Sequence, residues 1–374
     1  MIDTKIFFNY LISRGLEFYA GVPDSLLVNL CACINDNCKK NNNIIAANEG
    51  NAIAIAAGYH LATSKIGVVY MQNSGIGNAV NPLLSLIDED VYKIPMLLFI
   101  GWRGEPNTED EPQHKKQGVV TEPLISSMDI KTIILSEDYE PQIKNCVRYI
   151  KDTGKAAAIL IKKDTFSPYI NLKNHNVYVL NREKALEIII SSLSDDDFIV
   201  STTGKSSREI FEIRKKNMQM HSHDFLTVGS MGHAASLAFG ISTNSNKNIF
   251  CIDGDGAFLM HMGGLAIIAQ NADKNFKYIL INNGAHESTG GQPTVAFNID
   301  IAKILQAFGF KNVYTATTES DVRANINKLK IDEEVSALIV NVSLYSRKNL
   351  GRPTISPAEN KVAFEKALCN KSQS

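Results

Sequence analysis

Short apolar runs alternate with helix-length segments along the whole chain. In the first half the runs are Phe18-Tyr19-Ala20, Ile44 to Ala47, Gly67 to Met71, Met96 to Ile100, Thr132 to Leu135 and Ala157 to Ile161. Continuous apolar runs of this length suit strands covered on both faces, so the alternation predicts a doubly wound parallel sheet. The stretch 166–181 keeps no period, contains Pro168, and reads as a linker. Beyond it the rhythm restarts. Helices are expected over 182–193, 206–216 and 234–242, and strands over 198–201, 249–252, 278–281, 313–315 and 337–342. The fold class expected is α/β, with two doubly wound parallel-sheet domains at 1–165 and 182–374 around the linker 166–181.

Composition adds limits. The chain has 374 residues, 44% hydrophobic and 21% charged, with a formal net charge of −1. That balance gives no support for nucleic acid or an anionic membrane as partner. No run approaches the roughly 20 apolar residues that span a bilayer, and the first fifteen residues read as an amphipathic helix ending at Gly15 rather than a leader. A cytoplasmic location is the default. The cysteines at 31, 33, 38, 146, 251 and 369 form no CxxC pair, and no His lies among the first three, so they read as thiols rather than metal ligands.

Parallel sheets bind ligands at the carboxyl ends of their strands. In the first half those exits are Gly21-Val22-Pro23-Asp24-Ser25, Asn48-Glu49-Gly50-Asn51, Gln72-Asn73-Ser74-Gly75-Ile76-Gly77-Asn78 and Gly101-Trp102-Arg103-Gly104. Glu49 is the most informative residue. It opens a segment, AIAIAAGYHLA, so poor in charge that close packing on nearly every side is expected. A carboxylate there is desolvated and titrates high unless it is paired. The alternative is an ordinary acid at a helix N-terminus. The run 103–118 reads as a long polar loop carrying His114.

In the second half, one apolar strand breaks at Gly254-Asp255-Gly256 and the next ends at Asn282-Asn283-Gly284. Parallel strands joined by a helix put Asp255 and Asn283 on one edge. Two hard oxygen ligands beside glycines suit Mg²⁺ with a diphosphate, although each motif alone reads as a turn. Asn282 is the neighbouring choice for the amide. Gly229-Ser230-Met231-Gly232-His233 reads as a glycine turn before a helix. The run Thr202 to Ser207 ends in Gly-Lys-Ser, but position 199 is Ile where a nucleotide loop needs Gly, leaving an anion site near Lys205 and Arg208. Ala285 to Thr294 supplies the hydroxyls of Ser288 and Thr289 and the amide of Gln292, groups that suit an oxyanion or that close a surface turn.

Together, Glu49 with its Ala/Gly-rich helix, the GSMG loop, and GDG followed by NNG resemble the thiamine diphosphate-dependent decarboxylases. The resemblance covers both halves and implies a pyrimidine-binding domain, then a diphosphate-binding domain, with no middle domain between them. It implies that Glu49 protonates the aminopyrimidine ring, that Asn78 lies with it at the cofactor, and that His114, within His-x-x-x-Gly, serves in proton transfer. Lys115 and Lys116 depart from the His-His pair of the pyruvate enzymes. It further implies that the Gly229 carbonyl accepts the aminopyrimidine amine and Met231 supports the bent cofactor. Gly254, Asp255, Gly256 and Asn283 would hold the diphosphate through Mg²⁺ or another divalent cation, and the Ala285 carbonyl would complete the metal shell. Within the class, Gly-Val-Pro-Asp-Ser, Glu-Pro-Gln-His and His-Glu-Ser-Thr-Gly-Gly-Gln-Pro-Thr are most similar to the phosphonopyruvate decarboxylase family. Its reaction turns 3-phosphonopyruvate into phosphonoacetaldehyde and CO₂ in phosphonate biosynthesis. Asp24, Ser25, Arg103, Lys205, Ser288, Thr289 and Gln292 are then the candidates for a 2-keto acid substrate with an anionic head. A homodimer or higher homo-oligomer with shared sites is expected. The rivals are sulfopyruvate decarboxylase, whose members often divide the two domains between two chains, an acetolactate synthase-like enzyme, and a non-catalytic binding protein of the same fold. The fused chain favours the phosphonate reading, and the intact Glu49, Asp255 and Asn283 speak against a binding-only role.

Overall fold

Neighbouring residues of a strand face opposite sides of a sheet, and here both sides are apolar. Tyr19, Val68, Leu97 and Ile159 pack into one core, while Ala20, Val69, Leu98 and Leu160, each one position on, pack into another. Ile199, Phe250, Ile279 and Leu338 and their neighbours Val200, Cys251, Leu280 and Ile339 repeat the arrangement in the second half. Helices therefore cover both faces of each sheet, which is why the strands read as unbroken apolar runs. The computed structural model describes residues 1–39, 41–170 and 176–369.

The first sheet contains β1 (Phe18–Gly21), β2 (Asn43–Ile45), β3 (Gly67–Gln72), β4 (Met96–Gly101), β5 (Lys131–Ile134) and β6 (Ala157–Ile161), in the order β2-β1-β3-β4-β6-β5. In the second half are β7 (Asp197–Ser201), β8 (Asp224–Leu226), β9 (Asn248–Gly254), β10 (Phe276–Asn282), β11 (Ala285–His286), β12 (Gln292–Pro293), β13 (Asn312–Ala316) and β14 (Ser336–Asn341). Strands β11 and β12 form a small hairpin, and the rest make a sheet ordered β13-β14-β10-β9-β7-β8. Counted within its own half, that order is the same as the first, and every pairing in both six-stranded sheets is parallel. The chain reverses direction across the sheet between β1 and β3, and again between β7 and β9, so each half has its crevice there.

The chain divides into two units, Met1–Lys173 with His286–Gln292, and Asn174–Ala285 with Pro293–Ser374. The start of the expected linker is built into the first unit. Phe166 is buried and bridges Ile2, and Tyr169 N donates to Asn29 Oδ1 at 3.1 Å. Residues 171–175 of that linker lie outside the described residues.

Three features depart from the expectations. Strand β8 has no apolar run to announce it, because its Asp224 is fully buried against Arg214, whose Nε and Nη2 both donate at 3.0 Å. The segment after Gly254 forms two helices, Asp255–Met260 and Gly263–Asn271, and the second opens on a Gly-Gly pair that is a poor helix interior. The expected loop 103–118 is shorter, since Pro112 sits in the first turn of a helix, Pro112–Ser126, where its missing N–H costs nothing. His114 therefore lies on a helix. Among the described residues no helix is long and apolar enough to cross a membrane.

Candidate active site

In the first unit, the residues expected at the cofactor meet in one place. Asn48 caps the helix Glu49–Thr63 by accepting from Asn51 N, which sets Glu49 in its first turn. Glu49 is 5% exposed, and its Oε2 accepts a hydrogen bond of 2.7 Å from Asn78 Nδ2 on the helix Ile76–Ser85. Gly75 makes the approach possible, because a Cβ there would collide with the Glu49 carboxyl. A buried carboxylate with a single amide donor keeps lone pairs for a further partner.

A second group gathers at the exits of β1, β3 and β4. Asp24 is fully buried, and its Oδ1 accepts from Gln72 Nε2 at 2.6 Å while Oδ2 accepts from Leu26 N at 3.1 Å. Burial raises its pKa, with the Gln72 and Leu26 hydrogen bonds and the Arg103 charge opposing. Arg103 Nη1 donates to Ser25 Oγ at 2.9 Å and Nε donates to Asp110 Oδ2 at 2.8 Å, with Nη2 on Asp110 Oδ1. Burial would raise the Asp110 carboxyl, but the bonds and charge of Arg103 hold it below the usual range. His114 is pushed down to about 4 by burial and then by the Arg103 charge, against a weaker pull from Asp110, and its Nδ1 is buried with no partner among the described residues. The imidazole is thus neutral at physiological pH.

In the second unit, β9 and β10 are neighbours in register, Ile281 beside Gly254. Asp255 follows at the end of β9 and is buried, with its Oδ2 accepting from Thr294 Oγ1 at 2.5 Å. Burial pushes it up to about 6, opposed by Thr294 and by backbone N–H groups that include that of Asn283. Asn283 Oδ1 accepts from Ala285 N at 3.1 Å, whereas Asn282 turns to β14 and donates to Asn341 Oδ1 at 3.1 Å. The Asn283 backbone N–H reaches the Asp255 carboxylate. Gly256 is buried beside it, and at Gly254 a Cβ would meet only a methyl of Thr202 at 3.9 Å. In the Gly229–His233 loop, Ser230 holds a left-handed conformation (φ 54°) and its carbonyl accepts from His233 N, leaving Met231 half-buried.

Other candidates are more dispersed. Lys205 begins the helix Lys205–Lys216 and donates to Ser346 Oγ at 2.7 Å. Arg208 is committed to the carbonyls of Leu350 and Gly351. Ser288, Thr289 and Gln292 fall in the segment that groups with the first unit, while Lys205 belongs to the second. Thr289 Oγ1 donates to the His286 carbonyl at 3.1 Å, and the buried Gln292 Nε2 has no partner among the described residues. Sequence reasoning missed Asp110, Thr294 and Asn73. Asn73 is 2% exposed and clamps Arg103, donating to its carbonyl at 2.8 Å and accepting from its N–H at 3.2 Å. Asn73 directly follows β3 at a strand exit, which is the signal the sequence carries for it.

The profile "Thiamine pyrophosphate enzyme, N-terminal TPP binding domain" matches residues 4–124, and "Thiamine pyrophosphate enzyme, C-terminal TPP binding domain" matches residues 202–341. The sulfopyruvate decarboxylase subunit beta of Methanococcus maripaludis is 30% identical over 191 residues, half of this chain and 98% of that protein. The chain belongs to the thiamine pyrophosphate enzyme family. Phosphonopyruvate decarboxylase of Streptomyces viridochromogenes is 29% identical over 93% of this chain and 90% of its own length. Sulfopyruvate decarboxylase of Methanosarcina acetivorans is 26% identical over 95% of this chain and 94% of its own. That relative carries both halves in one chain, so fusion by itself does not separate the two substrate classes.

As a thiamine pyrophosphate (thiamine diphosphate) enzyme, the chain has residues that fit the cofactor. A buried carboxylate that burial drives toward protonation is relieved by a divalent cation, and Asp255 with the Asn283 amide oxygen would offer one a pair of hard oxygen donors. Among the described residues no group of three or more His, Cys, Asp or Glu is placed to hold a metal, so a shell here needs the amide and backbone oxygens.

Proposed function

We propose that this chain is a thiamine diphosphate- and Mg²⁺-dependent decarboxylase of 3-phosphonopyruvate, releasing phosphonoacetaldehyde and CO₂. The observation that carries the reading is the nearly full-length identity, 29%, to phosphonopyruvate decarboxylases from two Streptomyces species, against 26% to the full-length sulfopyruvate enzyme. The buried Glu49 and Asp255 support catalysis over mere binding. Sulfopyruvate is the second reading, favoured by the several sulfopyruvate decarboxylase beta and alpha subunits that each match between about a third and a half of the chain.

When bound, thiamine diphosphate supplies the electron sink for loss of CO₂. The protein's own residues then have these roles. Glu49, oriented by Asn78, would hold the proton exchanged with the aminopyrimidine ring, the Gly229 carbonyl would accept from its amine, and Met231 would support the bent cofactor. Asp255, Asn283 and the Ala285 carbonyl would hold Mg²⁺, and Gly254 and Gly256 would leave room for the diphosphate beside them. His114, neutral at physiological pH, accepts or passes a proton near the substrate. Asp24, Ser25, Arg103, Ser288, Thr289, Gln292 and Lys205 are the substrate candidates. The first domain, 1–165, binds the pyrimidine and the second, 182–374, the diphosphate.

The working unit in this reading is a cytoplasmic homodimer or larger homo-oligomer in which each cofactor touches two copies. The helix Glu49–Thr63, expected to be enclosed, exposes Ala54, Gly58 and Leu61 in the single chain, with Leu61 73% exposed. Gly77 and Leu84 of the adjoining helix are exposed as well. Such an apolar stripe supports burial against a second copy. A coupled aldehyde assay with phosphonopyruvate, sulfopyruvate and pyruvate, with and without thiamine diphosphate and Mg²⁺, tests the function. Faster turnover of sulfopyruvate would replace the first reading by the second, and no cofactor-dependent aldehyde from any of them would remove both.

A further inference from the structure

We propose that Asp110 is a positioning residue that presets the Arg103 guanidinium beside Ser25 to recognise the anionic head of the substrate. The inference rests on the proposed 2-keto acid substrate with such a head. Arg103 is the first residue past the Trp102 that follows β4, at the sheet edge where ligands gather. Its backbone is gripped on both sides by the buried Asn73, which is itself tied to Thr121 Oγ1 at 2.9 Å. Its side chain is fixed as firmly. Nε and Nη2 form a two-point pair with Asp110, and Nη1 reaches Ser25 at the exit of β1, with both charged side chains less than a fifth exposed.

Asp110 is held in turn. Its Oδ2 also accepts from Gly104 N and its Oδ1 from Glu111 N, each at 2.8 Å, so the carboxylate closes the loop 104–110 on itself. A carboxylate in that position cannot follow the guanidinium about; the guanidinium is held to it. Arginine carries five N–H donors, and Asp110 and Ser25 engage three, which leaves two for a ligand. A long flexible cation normally loses its rotational freedom when it binds an anion, and here that loss has been taken at folding. Phosphonate and sulfonate both present several strong acceptor oxygens to such a fork, and pyruvate's methyl presents none.

The test uses the holoenzyme, with kcat and KM measured for phosphonopyruvate and pyruvate in the wild type and in Asp110→Ala, Asp110→Glu and Arg103→Lys. The expected result is a fall of about tenfold or more in the preference for phosphonopyruvate, taken as the ratio of kcat/KM values, in Asp110→Ala and Arg103→Lys. The loss should sit in KM for phosphonopyruvate, and Asp110→Glu should recover part of it. A residue that merely closed the loop would slow both substrates alike, and an equal loss for the two, or an unchanged preference, overturns the proposal. Should Asp110→Ala fail to fold, Arg103→Lys, which keeps the charge but not the fork, decides by the same ratio. A wild type with no preference for an anionic head removes the functional reading and this inference with it. A wild-type preference that survives in every variant removes the inference alone.

Discussion

Glu49 Oε2 accepts a 2.7 Å hydrogen bond from Asn78 Nδ2, joining the helix after β2 to the helix after β3 at the edge where the cofactor is proposed to sit. Glu49→Gln can keep that bond through its amide oxygen but has no proton to exchange. Its melting temperature should stay near that of the wild type. Exchange of the cofactor's C2 proton, followed by NMR, should fall by about a hundredfold or more. Gly75→Ala should slow exchange too, because the new methyl displaces the carboxyl, at a stability cost of about 1–3 kcal/mol for the added bulk. Wild-type exchange in Glu49→Gln would take Glu49 out of the chemistry.

Asp255 and Thr294 share a 2.5 Å hydrogen bond. Asp255→Ala removes the one carboxylate of the proposed metal shell, so titration calorimetry should show Mg²⁺-dependent thiamine diphosphate binding lost or weakened by orders of magnitude. Thr294→Val should weaken it by about tenfold, as expected when a charge-assisted hydrogen bond that orients a ligand is removed. Unchanged affinity in Asp255→Ala would place the metal elsewhere.

His114 falls from an ordinary 6.5 to about 4 in the folded chain, as burial and the Arg103 charge both oppose protonation. Its folded pKa is depressed, so the stability it contributes is fully present above pH 6.5 and is lost as pH falls toward 4. Half-buried His286, also pushed to about 4 by desolvation, acts in the same direction. Melting temperature should decline across that window, and His114→Asn should flatten the decline. An identical pH profile in the variant would contradict the burial argument.

Assembly is testable from the exposed stripe. Leu61→Glu places a charge on it and should shift sedimentation toward the monomer, with activity falling in parallel. Mixing Glu49→Gln chains with Asp255→Ala chains should restore part of the activity, because a hybrid dimer pairs an intact Glu49 with an intact Asp255 in one of its two sites. Proven subunit exchange without recovery would exclude sharing.

Much of the fold was legible in the residues themselves. A strand covered on both faces must be apolar at every position, so nine of the twelve sheet strands announce themselves as runs with little displacement at their ends, and β2 and β13 do so more weakly. Strand β8 did not, because its buried Asp224 is made tolerable by Arg214 on a helix, and a compensation made through space leaves no period along the chain. The motifs at strand exits were readable for a similar reason. Gly254 to Gly256 and Asn282 to Gly284 are local in sequence, and the parallel orientation of β9 and β10 puts their carboxyl ends on one edge of the sheet.

What the chain order could not say is which side chains face one another once the strands are in register. That Asn282 turns to Asn341 of β14, a strand nearly sixty residues further on, is one such pairing. The pairing of Asp24 with Gln72, the grip of Asn73 on Arg103, and the bonds from Thr294 to Asp255 and from Arg103 to Asp110 likewise join residues that no spacing rule connects. Local sequence determined the elements and the chemistry available at their ends, because propensity and periodicity act over a few residues. Tertiary structure decided the partners, because burial drives most polar groups to find one, and only the packed sheet defines which are within reach.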